Sequence, residues 1–523
     1  MSLWETVLCT FLACLLATLL GGLHQIGAFR KRKPKEPPLD KGFLPWLGHG
    51  LSFMRTTEEF LERMRKKHGD ILLGGNYMRF LVDPSTYEPL MKVFKQVLGY
   101  NKFTSMVARN VFGLHCTESK LHSFKKISDK YLGGKYLPVL NQEMMEKLKS
   151  VMLLSQDSGE GKRSWRQEGV LHFTYKTVFQ ASFLTLFGNE PHKDVDSKEN
   201  AKENEMTQRG NLSENFEKFD HFFPHMVTGI IDPLNKKETE RLKKYFWDIL
   251  SVEKLYQRDG ISNWITELNQ QLTEKMRTQF QLLLLWVSQT NIVHATSWIL
   301  LYLLKYPEVL KAVREEVERV IIIIIIIIII IIIYIAPVLR ETAQEVVAGG
   351  PFINVSLDMI KTPLLDSATE ETLRLKGSGF IFRTVMQEMD IKMADGKEYT
   401  LRKGDDLVLS PFLALQTDPE IHPDPHTFKY DRFVTPDGIK KEFYKNGNKL
   451  KYYSMPFGGG TGLCPGRFFA VYEMKMFVFL MLAYFDMELV NAEEEMPTID
   501  IRRHGFGTVK PSHDVQFKHR LRV

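Results

Sequence analysis

The stretch Pro456–Ala470, PFGGGTGLCPGRFFA, sets one cysteine among glycines and runs straight into a helical pattern. Phe457, Gly460, Cys464 and Gly466 stand at relative positions 0, +3, +7 and +9. Glycines let a backbone approach a neighbouring group closely and accept positive φ. They also leave amide N–H groups free to point at a sulfur. A helix starting just past Cys464 brings its positive end near that sulfur and favours a thiolate. A phosphate-binding loop is excluded, because GGGTG would have to end in Gly-Lys-Ser/Thr and Gly462-Leu463-Cys464 does not.

The pattern F-x-x-G-x-x-x-C-x-G resembles the cytochrome P-450 superfamily. That resemblance implies that Cys464 is the axial ligand of the iron of haem b, with Phe457 against the haem face and Gly460 and Gly466 shaping the loop. It also implies the fold class: mainly α with a small β region, one haem-thiolate domain, and an N-terminal transmembrane helix.

Composition agrees with a large α-rich body. The chain has 523 residues, a length that alone allows several domains or one large one. Four cysteines (Cys9, Cys14, Cys116 and Cys464) form no disulfide framework, which points to a reducing compartment. The net charge of +6 is mild, and no basic–aromatic module for nucleic acid is present.

Val7–Leu23 is uncharged and close to the minimum length of a spanning helix. The basic run Arg30-Lys31-Arg32-Lys33-Pro34-Lys35 follows it, whereas a cleaved signal peptide carries its charges in front. The expectation is a membrane anchor over 1–29 and a basic, proline-rich hinge over 30–50. The monooxygenase domain over 51–523 then stays on the cytosolic side of the endoplasmic reticulum membrane.

Thr57–His68 reads as an amphipathic helix, and Ile71–Val82 as short strands around Gly74-Gly75. Lys102–Gly133 reads as irregular and then helical, and Lys193–Glu205 as a solvated surface insertion. Phe280–Lys305 is apolar with a polar middle, which suits a buried central helix facing a site better than a membrane span. Ile321–Ile333 is an unbroken isoleucine run that no ordinary fold requires. It reads as a repeat translated into the chain, and 320–355 is set aside as a doubtful insertion.

The remaining site residues come from the resemblance. The central helix implies the distal motif Ala/Gly-Gly-x-Asp/Glu-Thr, which falls on Ser288-Gln289-Thr290-Asn291-Ile292. Asn291 replaces the acid and Ile292 the threonine. That leaves Asn291, with Thr290 or an ordered water, as the expected proton-handling groups. Glu371 and Arg374, at i and i+3, and Arg432 within FKYDRF imply a buried charge network behind the haem. Arg383 implies a partner for a haem propionate, while Gly462 stands where many members carry an arginine. Lys440, Lys441, Lys445, Lys449 and Lys451 are a candidate docking face for an acidic reductase.

Within the superfamily the chain is similar to the bile-acid branch. That similarity implies a sterol substrate, hydroxylated at 12α on a 7α-hydroxylated 3-oxo-4-ene nucleus. It also implies O2 and electrons from NADPH through a flavoprotein reductase. The alternatives are a haem-thiolate isomerase resembling prostacyclin synthase, favoured by Ile292, and a sterol 7α-hydroxylase.

Overall fold

The computed structural model describes Thr18 and residues 32–40, 53, 56–69, 71–74, 78–93, 96–99, 101–115, 118–154, 164–190, 198–229, 231–335 and 361–522. The expected anchor over 1–29, Thr18 apart, lies outside the described residues, as do Cys9, Cys14 and Cys116. Among the described residues no helix is long and apolar enough to cross a membrane.

The body is mainly helical and organised around the helix Glu274–Lys305. Val293, Trp298, Ile299, Leu300 and Leu303 of this helix have no solvent exposure. Gln289, Thr290, His294 and Thr296 of its polar middle are buried too, with helices Arg467–Tyr484, Pro363–Lys376 and Val170–Thr174 against it. A second, smaller core lies in a six-stranded sheet of order Leu39–Asp40, Ile71–Gly74, Met78–Leu81, Asp406–Leu409, Ile381–Val385, Leu98–Gly99. Leu39 pairs with Leu73, so the far end of the proline-rich lead is stitched to the body. Thr400 N–H also donates to the Lys35 carbonyl at 2.8 Å.

Local sequence explains the helix starts. Asp232 accepts from the Leu234 and Asn235 amides at 3.0 Å and caps Pro233–Ile249. Ser262 caps Asn263–Gln270, and Trp264 of that helix donates to Ser128 Oγ at 3.0 Å. Glu316 performs the same service across the chain. Its two carboxylate oxygens accept from the Leu364 and Leu365 amides, each at 2.9 Å, at the start of Pro363–Lys376.

One expectation is corrected. Lys102–Gly133 is not irregular at first: it holds two helices, Asn101–Phe112 and Glu118–Leu132, because Val111, Phe112 and Leu114 bury into the helical core. The charged run over Lys193–Glu205 enters, from 198 onward, the helix Lys198–Thr228. Phe216, Phe219 and Phe223 repeat at helical spacing and are buried, which carries the helix through its polar start. The isoleucine run continues the helix Pro307–Ile335. Val320 and Ile324 pack inward, while Ile322, Ile323, Ile325 and Ile326 are exposed. The remainder of the set-aside segment, 336–360, lies outside the described residues.

Candidate active site

The loop before Cys464 is wound tightly by its own backbone. Cys464 N–H donates to the Phe457 carbonyl at 3.0 Å, and Gly462 and Leu463 N–H donate to Gly459 and Gly460, each at 3.2 Å. Gly460 has φ +58°, and a Cβ there would stand 2.7 Å from the Met91 carbonyl. Only glycine serves at that turn. The Gly466 N–H points at the sulfur, and a Cβ on Gly466 would meet both Leu132 and Sγ. Phe457 is half-buried and packs on the helical core. Cys464 forms no disulfide and is half-buried.

Burial pushes the Cys464 thiol up, against the pull of the Gly466 N–H and of Arg467 and Lys125. The helix Arg467–Tyr484 begins past the sulfur, and its end alone does not outweigh the cost of a buried lone anion. The thiolate needs a bound cation, and a metal that binds there displaces the proton.

Behind this loop the structure brings Glu371, Arg374 and Arg432 together, all buried. Arg374 Nε and Nη2 grip the Glu371 carboxylate at 2.7 and 2.9 Å, and Arg432 Nε reaches the same carboxylate at 2.8 Å. The surplus guanidinium protons go to backbone: Arg374 to Gln416 and Pro425, Arg432 to Pro423, Asp424 and Thr427. Gln416, which the sequence reading missed, donates back to the Arg374 and Gly377 carbonyls, both at 2.7 Å. Nothing in the sequence marks it, because its role depends on the position of a distant helix.

Arg383 sits at the edge of the ligand loop. Its guanidinium donates to the Phe382 carbonyl at 2.8 Å and to the Gly459 carbonyl at 3.0 Å. A Cβ on Gly462 would come within 3.0 Å of Arg383 Nη2, so the two positions compete for one space. Glycine at 462 makes room for arginine at 383.

On the opposite side, the central helix is open along Leu283, Val287, Ser288 and Asn291, which share one face. Val287 is 46% exposed, whereas Trp286 beside it is buried. Thr290 is turned away from that face and donates to Asp220 Oδ1 at 2.9 Å. Asn291 Oδ1 accepts the Thr508 N–H at 2.9 Å. Ile292 is buried. Both expected distal groups are therefore hydrogen-bonded to the protein. Asp220, Arg503 and His294, which the sequence reading missed, form a buried cluster with Thr290: Arg503 Nη1 to Asp220 Oδ1 is 2.8 Å, and Tyr175 Oη to His294 Nε2 is 3.1 Å.

The lysine run before the loop is less free than its charge suggests. Lys440 pairs with Glu370 at 2.9 Å, Lys445 with Asp418, and Lys449 with Glu442. The exposed pairs of Lys440 and Lys449 are worth little in stability, but together the three acids cancel three of the five lysine charges.

The residues fit a flat, sulfur-ligated group. The sulfur is in no disulfide and has an amide aimed at it, the loop before it is built of glycines, and a guanidinium stands at the loop edge. Among the described residues no cluster of His, Cys, Asp or Glu offers a second metal site.

Comparison with known proteins agrees with this geometry. The family model described as Cytochrome P450 matches residues 37–323 and 338–517, leaving out most of the isoleucine run. A 5-beta-cholestane-3-alpha,7-alpha-diol 12-alpha-hydroxylase from Sus scrofa is 40% identical over 531 residues, covering 100% of this chain and 99% of that protein. A human 7-alpha-hydroxycholest-4-en-3-one 12-alpha-hydroxylase is 39% identical over 530 residues, covering 100% and 99%. A prostacyclin synthase from Rattus norvegicus is 37% identical over 523 residues, covering 97% and 98%.

Proposed function

This chain belongs to the cytochrome P450 family, and we propose that it is a haem-thiolate sterol monooxygenase that hydroxylates the 12α position of a 7α-hydroxylated sterol in bile acid synthesis. The observation that carries this is the full-length identity of about two residues in five to sterol 12α-hydroxylases, joined to a free cysteine with the Gly466 N–H aimed at its sulfur and a complete Glu371–Arg374–Arg432 cluster.

When bound, haem supplies electron-rich iron for O–O cleavage and oxygen insertion into an unactivated C–H bond. Cys464 is the residue that would hold it, with Arg383 for a propionate and Phe457, Gly460 and Gly466 shaping the cradle. Glu371, Arg374 and Arg432 lock the segment behind the loop, so that the sulfur stays aimed. Leu283 and Val287 give the open face of the central helix its apolar part. Asn291 and Thr290 stand beside that face as the groups that order it, with Thr290 held by Asp220 and Asn291 by Thr508.

The same reading takes O2 and electrons from NADPH through a flavoprotein reductase that docks near Lys440–Lys451. It places the chain at the endoplasmic reticulum membrane, anchored by 1–29 with its body in the cytosol.

The purified full-length protein, given a 7α-hydroxylated 3-oxo-4-ene sterol, should form the 12α-hydroxylated product only when both NADPH and reductase are present. Product formed without either overturns the monooxygenase reading. One observation favours a second reading: Ile292 is buried and Thr290 is committed to Asp220. A peroxide isomerase needs no proton from either, and it would turn over an endoperoxide without reductase.

A further inference from the structure

The cluster around Asp220 is costly, and its cost has no counterpart in the chemistry above. Asp220 and Arg503 are each 1% exposed and form an ion pair. Three donors converge on Asp220 Oδ1: Arg503 Nη1 at 2.8 Å, Thr290 Oγ1 at 2.9 Å and Trp286 Nε1 at 3.0 Å. Oδ2 of Asp220 faces His294 Nε2 at 3.4 Å, while Nε and Nη2 of Arg503 have no hydrogen-bond partner. Buried pairs with atoms left unsatisfied are poor sources of stability, and apolar residues of similar volume would serve a core better. A pair of this kind specifies position.

What it positions can be followed outward. Asp220 lies on the helix Lys198–Thr228, Trp286 and Thr290 lie on the central helix, and Arg503 opens the loop that carries Phe506. The Trp286 indole stacks on Phe223 at 3.9 Å and 12°. Phe223 meets the edge of Phe506 at 5.8 Å. Phe506 lies near-parallel to Phe103 at 6.3 Å, and Phe103 stacks on Phe382 at 3.9 Å. Phe103, Phe382 and Phe506 are half-buried, so the rings form a wall with one open side. Phe382 adjoins Arg383, at the edge of the ligand loop. The same loop is laced to the central helix by its backbone: Asn291 takes the Thr508 N–H, His294 Nδ1 lies 3.3 Å from the Thr508 carbonyl, and Trp298 Nε1 donates to the Val509 carbonyl at 2.8 Å. Positions 291, 294 and 298 share a helical face.

We propose that Asp220 is a positioning residue for the distal chamber. Its carboxylate, paired with Arg503, fixes Trp286 and thereby orders the aromatic wall Trp286–Phe223–Phe506–Phe103–Phe382, against which a rigid, flat, apolar ring system lies. The choice of a fused-ring substrate rests on the sterol reading; the anchoring role does not.

The test uses the full-length, haem-loaded protein and two measurements. One is amide hydrogen exchange across the chain. The other is the sterol-induced shift of the haem absorption band, titrated with the 7α-hydroxylated 3-oxo-4-ene sterol. Asp220→Asn leaves Arg503 as a lone buried charge. It should speed exchange in 212–228 and 503–509 about tenfold or more, leave 467–484 unchanged, and weaken sterol binding about tenfold. The pair Asp220→Asn with Arg503→Gln removes both charges and should return exchange to within about threefold of the parent. Glu316→Gln, a buried carboxylate at a remote helix cap, should leave sterol binding unchanged. Exchange that rises evenly over the whole chain, or fails to rise at all, overturns the proposal. If Asp220→Asn does not fold, Trp286→Phe decides: it keeps the ion pair and the ring, and unchanged sterol affinity overturns the proposal, whereas a loss of about threefold supports it. A parent protein that shows no sterol shift overturns the sterol reading, and exchange alone then judges the anchor.

Discussion

Replacing Glu371 by glutamine tests the structural heart of the site. One carboxylate serves two guanidinium groups: Arg374 at 2.7 and 2.9 Å and Arg432 at 2.8 Å, with the Lys429 N–H at 3.1 Å on the same oxygen as Arg432. The amide removes the negative charge and turns one acceptor into a donor that faces a guanidinium N–H. Breaking a buried pair by removing one partner costs about 3–5 kcal/mol. The two pairs share a carboxylate, so their losses do not add, and about 3–5 kcal/mol is the expected total. Against a domain stability of about 5–15 kcal/mol, that is a large share. The loop bearing Cys464 should then lose its support. The assay is urea unfolding of the haem-loaded protein, followed both by far-ultraviolet circular dichroism and by the thiolate-type absorption band of the reduced carbon-monoxide complex. The variant should unfold at lower urea and lose that band first. Arg432→Lys should show a milder form of the same defect, because one ammonium cannot reach Glu371 and the carbonyls of Pro423, Asp424 and Thr427 together. A loss below about 1 kcal/mol with the band intact would refute the claim that buried charge pairing holds this segment.

Three further outcomes follow from the geometry. Gly462→Ala places a methyl within 3.0 Å of Arg383 Nη2, and it should displace the guanidinium and weaken haem retention severalfold in a transfer assay to apomyoglobin, with the helix content unchanged. Acid should destabilise the fold early: burial holds His294 and His422 down at about 3 and His504 at about 4. The unfolded chain takes protons below about pH 6.5 that the folded chain refuses, so stability is full above that pH and falls as pH drops toward the folded values. For three histidines the loss between pH 7.5 and 5.5 is about 4 kcal/mol. His504→Phe should remove about a third of it, since that ring lies against Phe380 and Phe412; a flat urea midpoint over this range contradicts the reasoning. Excising 325–337, nearly the segment left out of the family match, should leave the haem spectrum unchanged and raise solubility in a sedimentation assay. Glu316 clamps the two flanking helices from 2.9 Å on both amides, whereas a lost haem spectrum would make the isoleucine helix part of the fold.

The ligand loop was legible because its chemistry is local. Phe457, Gly460, Cys464 and Gly466 act within one short stretch, so spacing alone states their relation. Glu371, Arg374 and Arg432 entered through the family resemblance, because a Glu and an Arg one helical turn apart mark nothing by themselves. The fold class came from the same resemblance, and the helix over Thr57–His68 lies where the sequence reading puts it.

The distal side was different. Periodicity says that residues 286, 290 and 294 share a face of the central helix, but not which element meets that face. Asp220 and Arg503 are 283 positions apart, and nothing in the chain marks either as the other's partner. Thr290 and Asn291 are adjacent in sequence, yet one turns to the helix Lys198–Thr228 and the other to the backbone of Thr508. The thiol followed the same rule, since its proton affinity depends on how deeply the fold buries it as well as on the helix beside it. Short-range spacing specifies covalent neighbours and helical faces, and through the family resemblance it singled out the Cys464 loop and a mainly helical body. Which groups converge on a buried point, and what charge they can hold there, depends on packing between distant segments, where desolvation and pairing are decided together.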